Sequence, residues 1–202
     1  MGAFVATLFR AITCLGLLSI AGAALAAKPD KTAVPSVPAG QSQIVFLRHS
    51  VVGAKANTLV YETTSGQPKV VGIIPNNRKL VVNVPPGDHV FMIGNLPTCD
   101  FLQASTLPGR RYYAVVVSRW PDGFTLRPVR NGEAKPGEYS FKSEDFPDLL
   151  KYTTLAGRAP DSYVQSELKA AETHYPGKWQ QWQSKSGEQK AMLTLRPDDA
   201  ES

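Results

Sequence analysis

Residues Lys79 to Arg130, KLVVNVPPGDHVFMIGNLPTCDFLQASTLPGRRYYAVVVSRWPDGFTLRPVR, decide how this chain folds. Short apolar runs alternate there with turn dipeptides, which is the pattern of a β framework. Lys79 to Val84 alternates so that Leu80, Val82 and Val84 share a face. Pro86-Gly87 fits a type II turn, because proline presets φ at one central position and glycine accepts positive φ at the next. A hairpin is therefore expected, with His89 to Ile93 as the returning strand. Asn95 to Leu107 reads as a looser segment. GRRYYAVVVSRW is the longest β-favouring run, ended by the turn residues Pro121-Asp122-Gly123. Tyr112, Ala114, Val116 and Trp120 fall on one face of it, and Arg111, Tyr113, Val115, Val117 and Arg119 on the other. Apolar residues on both faces predict a central strand. Phe124 to Val129 follows as the next strand.

Toward the N-terminus, Pro75-Asn76-Asn77 is a turn. Ser65-Gly66 is a hairpin signal between Asn57–Thr63 and Lys69–Ile74, and Gln43 to Leu47 opens the framework. Short strands at regular spacing favour a sandwich or small barrel over alternating strands and helices. The expected fold is mainly β: a small β-sandwich of seven to eight short strands, prealbumin-like, spanning 43–130, with a C-terminal helical segment. Lys28 to Ser42, with three prolines and no periodicity, reads as an extended linker (28–42). Residues 131–202 form a C-terminal extension packed on the β domain. It contains a helical turn from Ser143 to Lys151 and a helix over about 162–175, with Asp161 as its N-cap. Val164, Leu168, Ala171 and Tyr175 recur there at helical spacing. Pro176-Gly177 is expected to end that helix, and Ala191 to Leu195 to add a last short strand.

Arg10 precedes AITCLGLLSIAGAALAA, an uncharged, mostly apolar run ending in small residues, with Ala24-Leu25-Ala26 before Ala27 as a cleavage site. This is the pattern of a secretory signal over 1–26. The run of about seventeen residues is shorter than the roughly 20 that span a bilayer. A periplasmic or secreted protein is expected, with an uncleaved membrane anchor as the alternative. Cleavage removes Cys14, so a single cysteine, Cys99, is left and cannot form an internal disulfide. The formal charge falls from +5 to +4 with the loss of Arg10. That charge is spread along the chain without the clustered Lys and Arg of a nucleic-acid surface, so no nucleic-acid partner is expected.

Within the β framework, IVFLRH is followed by a valine-rich hairpin, then VPPGDH after a strand, then the Gly-Arg-Arg-Tyr-Tyr strand. On these residues the chain, over roughly 44–130, resembles the DUF2846 family, small secreted and envelope proteins of unknown function. The resemblance implies an extracytoplasmic β-sandwich and nothing catalytic.

IVFLRHS also resembles the Arg-His entry to the histidine phosphatases, in which histidine accepts the phosphoryl group and arginines hold its oxygens. His49 and Arg48 would take those roles. The glycine that follows the histidine in that family is Ser50 here, β-like sequence replaces the following helix, and neither His89 nor His174 matches the second histidine. A metal site is not expected, since the histidines lie about forty or more residues apart, and no cofactor motif is present. Arg111, Tyr113 and Arg119 interleave cations with aromatics and are candidate binding residues. The alternative is that they pack and protect a strand. Trp179 and Trp182 could touch a membrane surface or a partner, or close over the domain's own core. The reading that follows is a non-catalytic exported envelope protein, a binding or structural module with an envelope protein or ligand as partner. The alternative is a small phosphohydrolase using His49 and nearby arginines.

Overall fold

The computed structural model describes residues 30–95, 98–119 and 123–202, except for the side chains at positions 95 and 98. The signal segment with its cleavage site, Trp120 of the expected strand face, and Pro121-Asp122 of the expected turn lie outside them. Eight strands of four to nine residues occupy the chain up to Arg130. They are β1 (Ser42–Arg48), β2 (Leu59–Glu62), β3 (Lys69–Ile73), β4 (Arg78–Val84), β5 (Gly87–Asn95), β6 (Thr98–Thr106), β7 (Arg111–Ser118) and β8 (Phe124–Arg130). Three two-residue strands follow: β9 (Tyr139–Ser140), β10 (Thr154–Leu155) and β11 (Thr194–Leu195). The strands form two mixed sheets, β10-β4-β1-β7-β8-β9 and β11-β6-β5-β2-β3, in a sandwich-like arrangement. The protein is mainly β, as its sequence pattern predicts.

Three apolar clusters account for the pattern of the strands. Between the sheets lie Ile44, Phe46, Phe91, Leu102, Tyr112 and Leu126 with their neighbours. On the outer face of the first sheet, Val45, Leu47, Tyr113 and Val115 pack against Phe146 and Leu149. On the outer face of the second, Leu59, Tyr61, Met92 and Phe101 pack against Ala171, Tyr175 and Trp182. Both sheets are therefore covered on both sides, and every residue of β1 is buried. Each fully buried large apolar side chain contributes about 1.5–3 kcal/mol. β7 lies between β1, to which it is parallel, and β8, to which it is antiparallel. It is the central strand that its two apolar faces predict.

The Ser65-Gly66 signal joins a true hairpin, β2 with β3. Pro85-Pro86 does not: β4 and β5 belong to different sheets, so the diproline carries the chain over the edge of the sandwich. Two residues without N–H groups suit a corner where no ladder continues. Gly87, at φ +128°, already pairs with Thr106. The segment read as loose is mostly β6, paired along its length with β5. Phe101 faces the helical layer while Leu102 and Ala104 face the core between the sheets.

After Arg130, α1 (Phe146–Tyr152) has Pro147 in its first turn, where a missing N–H costs nothing. The long helix α2 (Asp161–Gln183) starts after Pro160, so Asp161 is its first residue rather than its cap, and it runs through Pro176 instead of ending there. An interior proline costs about 3 kcal/mol. Tyr175, Trp179 and Trp182, on one face either side of it, offset that cost by stacking on one another and meeting Phe101 edge-on or tilted. Ring centroids are 5.0 Å apart for the two tryptophans and 5.4 Å for Phe101 and Trp179. The short α3 (Gly187–Met192) begins with a capping box between Ser186 and Gln189. Among the described residues no helix is long and apolar enough to cross a membrane.

The proline-rich segment is no free linker from Asp30 onward. Its carbonyls at Lys31, Thr32, Pro35 and Gln41 accept hydrogen bonds from Leu155 N (2.9 Å), Lys79 Nζ (2.7 Å), Arg111 Nη2 (2.7 Å) and Gly109 N (2.7 Å). Val34 packs into the outer cluster of the first sheet. The C-terminal tail is fastened as firmly. Arg130 Nη1 meets Asp199 Oδ2 and the Thr194 carbonyl, each at 2.6 Å, and Glu201 bonds Arg111 and Tyr113.

Candidate functional site

Where β1 ends, the chain turns sharply and two adjacent residues part company. The Arg48 side chain is fully buried. Its Nη1 donates to the Ile74 carbonyl at 2.9 Å and its Nη2 to the Gly53 carbonyl at 2.8 Å, with the guanidinium 4.3 Å from the centroid of Phe124. Nε has no partner among the described residues. Burial pulls this guanidinium down to about 10, which still leaves it charged at neutral pH. Arg48 thus serves as an internal post for the loop that follows β1. That loop approaches β7 so closely at Gly53 that an added Cβ would lie 2.8 Å from Ser118 Oγ, and Gly53 has φ +71°.

His49 points the other way, onto a cleft of about 500 Å³. Its Nδ1 lies 2.7 Å from Asn77 Oδ1, and because an amide oxygen only accepts, Nδ1 is the donor of that pair. Asn77 adopts the left-handed conformation at φ 57°, which asparagine tolerates better than most residues. The imidazole stacks on Tyr152, the last residue of α1, with centroids 5.7 Å apart. Ser50, Ser118, Tyr139, Asp145 and Asp148 complete the polar lining, and the exposed Val51 and Val52 line it as well. Burial, with Asp145 nearby, raises the Tyr139 phenol against the opposing pull of Arg127, so Tyr139 remains a hydrogen-bond donor. The cleft combines a stacked pair of rings with hydroxyl donors and carboxylate acceptors. No lysine or arginine is in that lining among the described residues.

The other predicted residues lie elsewhere. Arg111 binds Gln43 Oε1 at 2.6 Å, Glu201 Oε2 at 3.0 Å and the Pro35 carbonyl, joining strand, tail and N-terminal strap. Tyr113 is buried among Phe141 and Phe146, its hydroxyl donating to Glu201 Oε1 at 3.1 Å; burial first, then Glu201, pushes the phenol up to about 12. Arg119 is exposed at the end of β7 and belongs to a separate groove. Trp182 is buried and Trp179 half-buried, both turned onto Phe101. His89 lies apart from His49, held between Glu62 Oε1 (2.9 Å) and the Pro85 carbonyl (2.7 Å), and His174 is exposed on α2. Among the described residues no three His, Cys, Asp or Glu side chains gather as a metal site. Asp145, Asp148, Tyr139 and Tyr152 come from the C-terminal extension, where only the helical turn from Ser143 to Lys151 marks this region in the sequence.

No family model matches the chain, and no curated protein resembles it closely enough to count as a relative.

Proposed function

We propose that this protein is a non-catalytic module of the cell envelope, exported by its N-terminal signal, whose cleft beside His49 receives a ligand or a segment of an envelope partner. The observation that carries the reading is the orientation of Arg48. The cation that a phosphoryl-accepting histidine would need beside it is turned into the fold and spent on two backbone carbonyls. A phosphoryl group at His49 would meet Asp145 and Asp148 in the cleft lining instead, and like charges oppose that approach. The likeness to the DUF2846 proteins over 44–130 supports the same reading.

Two measurements test it. Purified protein should show no p-nitrophenyl phosphate turnover that His49→Ala abolishes; turnover lost in that variant would establish the phosphohydrolase alternative. Protein recovered from the envelope fraction should begin near Ala27, whereas a chain beginning at Met1 in the membrane would make it an anchored protein.

A further inference from the structure

A second concavity, of about 300 Å³, lies where the end of β7, β8 and the helical layer meet. Arg119, Arg127, Lys185 and Asp100 line it together with Gln189. Arg127 and Lys185 are half-buried. Among the described residues, none of the three cations makes a salt bridge. Arg127 has a single long contact, 3.4 Å to the Leu126 carbonyl. Burial lowers its guanidinium, Asp100 opposes that, and the neighbouring Arg119 lowers it further. Asp100 is the one carboxylate in that lining among the described residues, and each of its oxygens already has a partner: Oδ1 accepts from Phe101 N at 3.0 Å and Oδ2 from the Thr125 hydroxyl.

Two other arginines of this fold have ionic partners. Arg130 has Asp199 and carbonyls of the tail, and Arg111 has Glu201, Gln43 and Pro35. Against that background, two arginines and a lysine share one groove without a salt bridge among the described residues, and Arg119 and Arg127 repel each other in a way that an anion would relieve. Guanidinium forks match the oxygens of a phosphoryl group in pairs, and an ammonium adds charge from a third side. We propose that this groove is an anion site for a phosphoryl group, with Arg119 and Arg127 as the forks, Lys185 as the added charge and Gln189 as a neutral donor. It is separate from the cleft at His49 and does not depend on the function proposed for that cleft.

The test uses inorganic phosphate as the probe, with the full chain and melting temperature as readout. Phosphate titrated at constant ionic strength should raise the melting temperature saturably, while chloride should not. Arg127→Gln and Arg119→Gln should each weaken the apparent phosphate affinity about ten- to a hundredfold, the range for losing hydrogen bonds to a charged group. Lys69→Gln, which removes one charge from an exposed position on β3, should leave it unchanged. Without phosphate, Arg119→Gln should melt at or above wild type, because it relieves repulsion; a purely structural arginine would lower the melting temperature. No phosphate response in the wild type, an equal loss in Lys69→Gln, or a clear destabilisation by Arg119→Gln without phosphate would each overturn the proposal.

Discussion

Replacing Asp199 with alanine should loosen the whole C-terminal closure. The Asp199 carboxylate and the Arg130 guanidinium are both more than nine-tenths buried and meet at 2.6 Å. Asp199 Oδ2 also accepts from Arg196 N at 2.9 Å, and Arg130 gathers the Thr194, Ala191 and Met192 carbonyls. Removing the carboxylate leaves a buried cation on carbonyl dipoles alone, and breaking a buried pair from one side costs about 3–5 kcal/mol. For a domain of this size each kcal/mol moves the melting temperature by about 2–4 °C, so a fall of about 6–20 °C is expected. Urea unfolding followed by tryptophan fluorescence should show the same loss as a lower midpoint at unchanged slope. Removing both charges, as Arg130→Met with Asp199→Leu, should be milder than Asp199→Ala alone, because no uncompensated charge is left behind. If Asp199→Ala melts within about 2 °C of wild type, or the double variant is the less stable of the two, the pair does not hold the tail in the way argued.

Phe101→Ala should cost about 3–5 kcal/mol and flatten the near-ultraviolet circular dichroism of the Trp179–Trp182 stack; an unchanged spectrum would mean that α2 does not rest on this ring. Gly87→Val should cost about 1–3 kcal/mol as backbone strain alone, since a Cβ there meets nothing within 4 Å, and equal melting temperatures would refute the positive φ. Burial raises the Cys99 thiol to about 11. Its alkylation should therefore be slow at pH 8 and keep climbing with pH to about 10 and beyond, because only the thiolate reacts; a plateau near pH 9 would show an ordinary, accessible thiol.

The strands were legible where two-residue alternation or a doubly apolar run is long, as in β1 and β7. Sheet membership was not legible at Pro85-Pro86, because alternation on both sides of a turn reports strands but not whether they pair with each other. β6 was hidden because CDFLQAST serves three surroundings at once. Asp100 is used locally, Phe101 faces the helix and Leu102 faces the sandwich core. Proline misled twice for one reason. Local propensity predicts a helix end at Pro176 and a loose linker before Ser42, yet aromatic stacking in the first case and four hydrogen bonds to the segment's carbonyls in the second outweigh it. His49 could be picked out as chemically notable from IVFLRHS, but its company could not. Asp145, Asp148 and Tyr152 reach it through the tertiary path of α1 and Tyr139 through the pairing of β9 with β8, and the opposite orientations of Arg48 and His49 follow from the turn at the end of β1.

The strap at residues 31–41 has a mechanical consequence. A coil of that composition would act as a leash, letting the domain tumble about its point of attachment. Fastened at four carbonyls along the first sheet, it is instead part of the rigid body, so torque applied just ahead of it passes directly into the sandwich. The cleft at His49 and the groove at Arg127 then keep constant bearings relative to that handle.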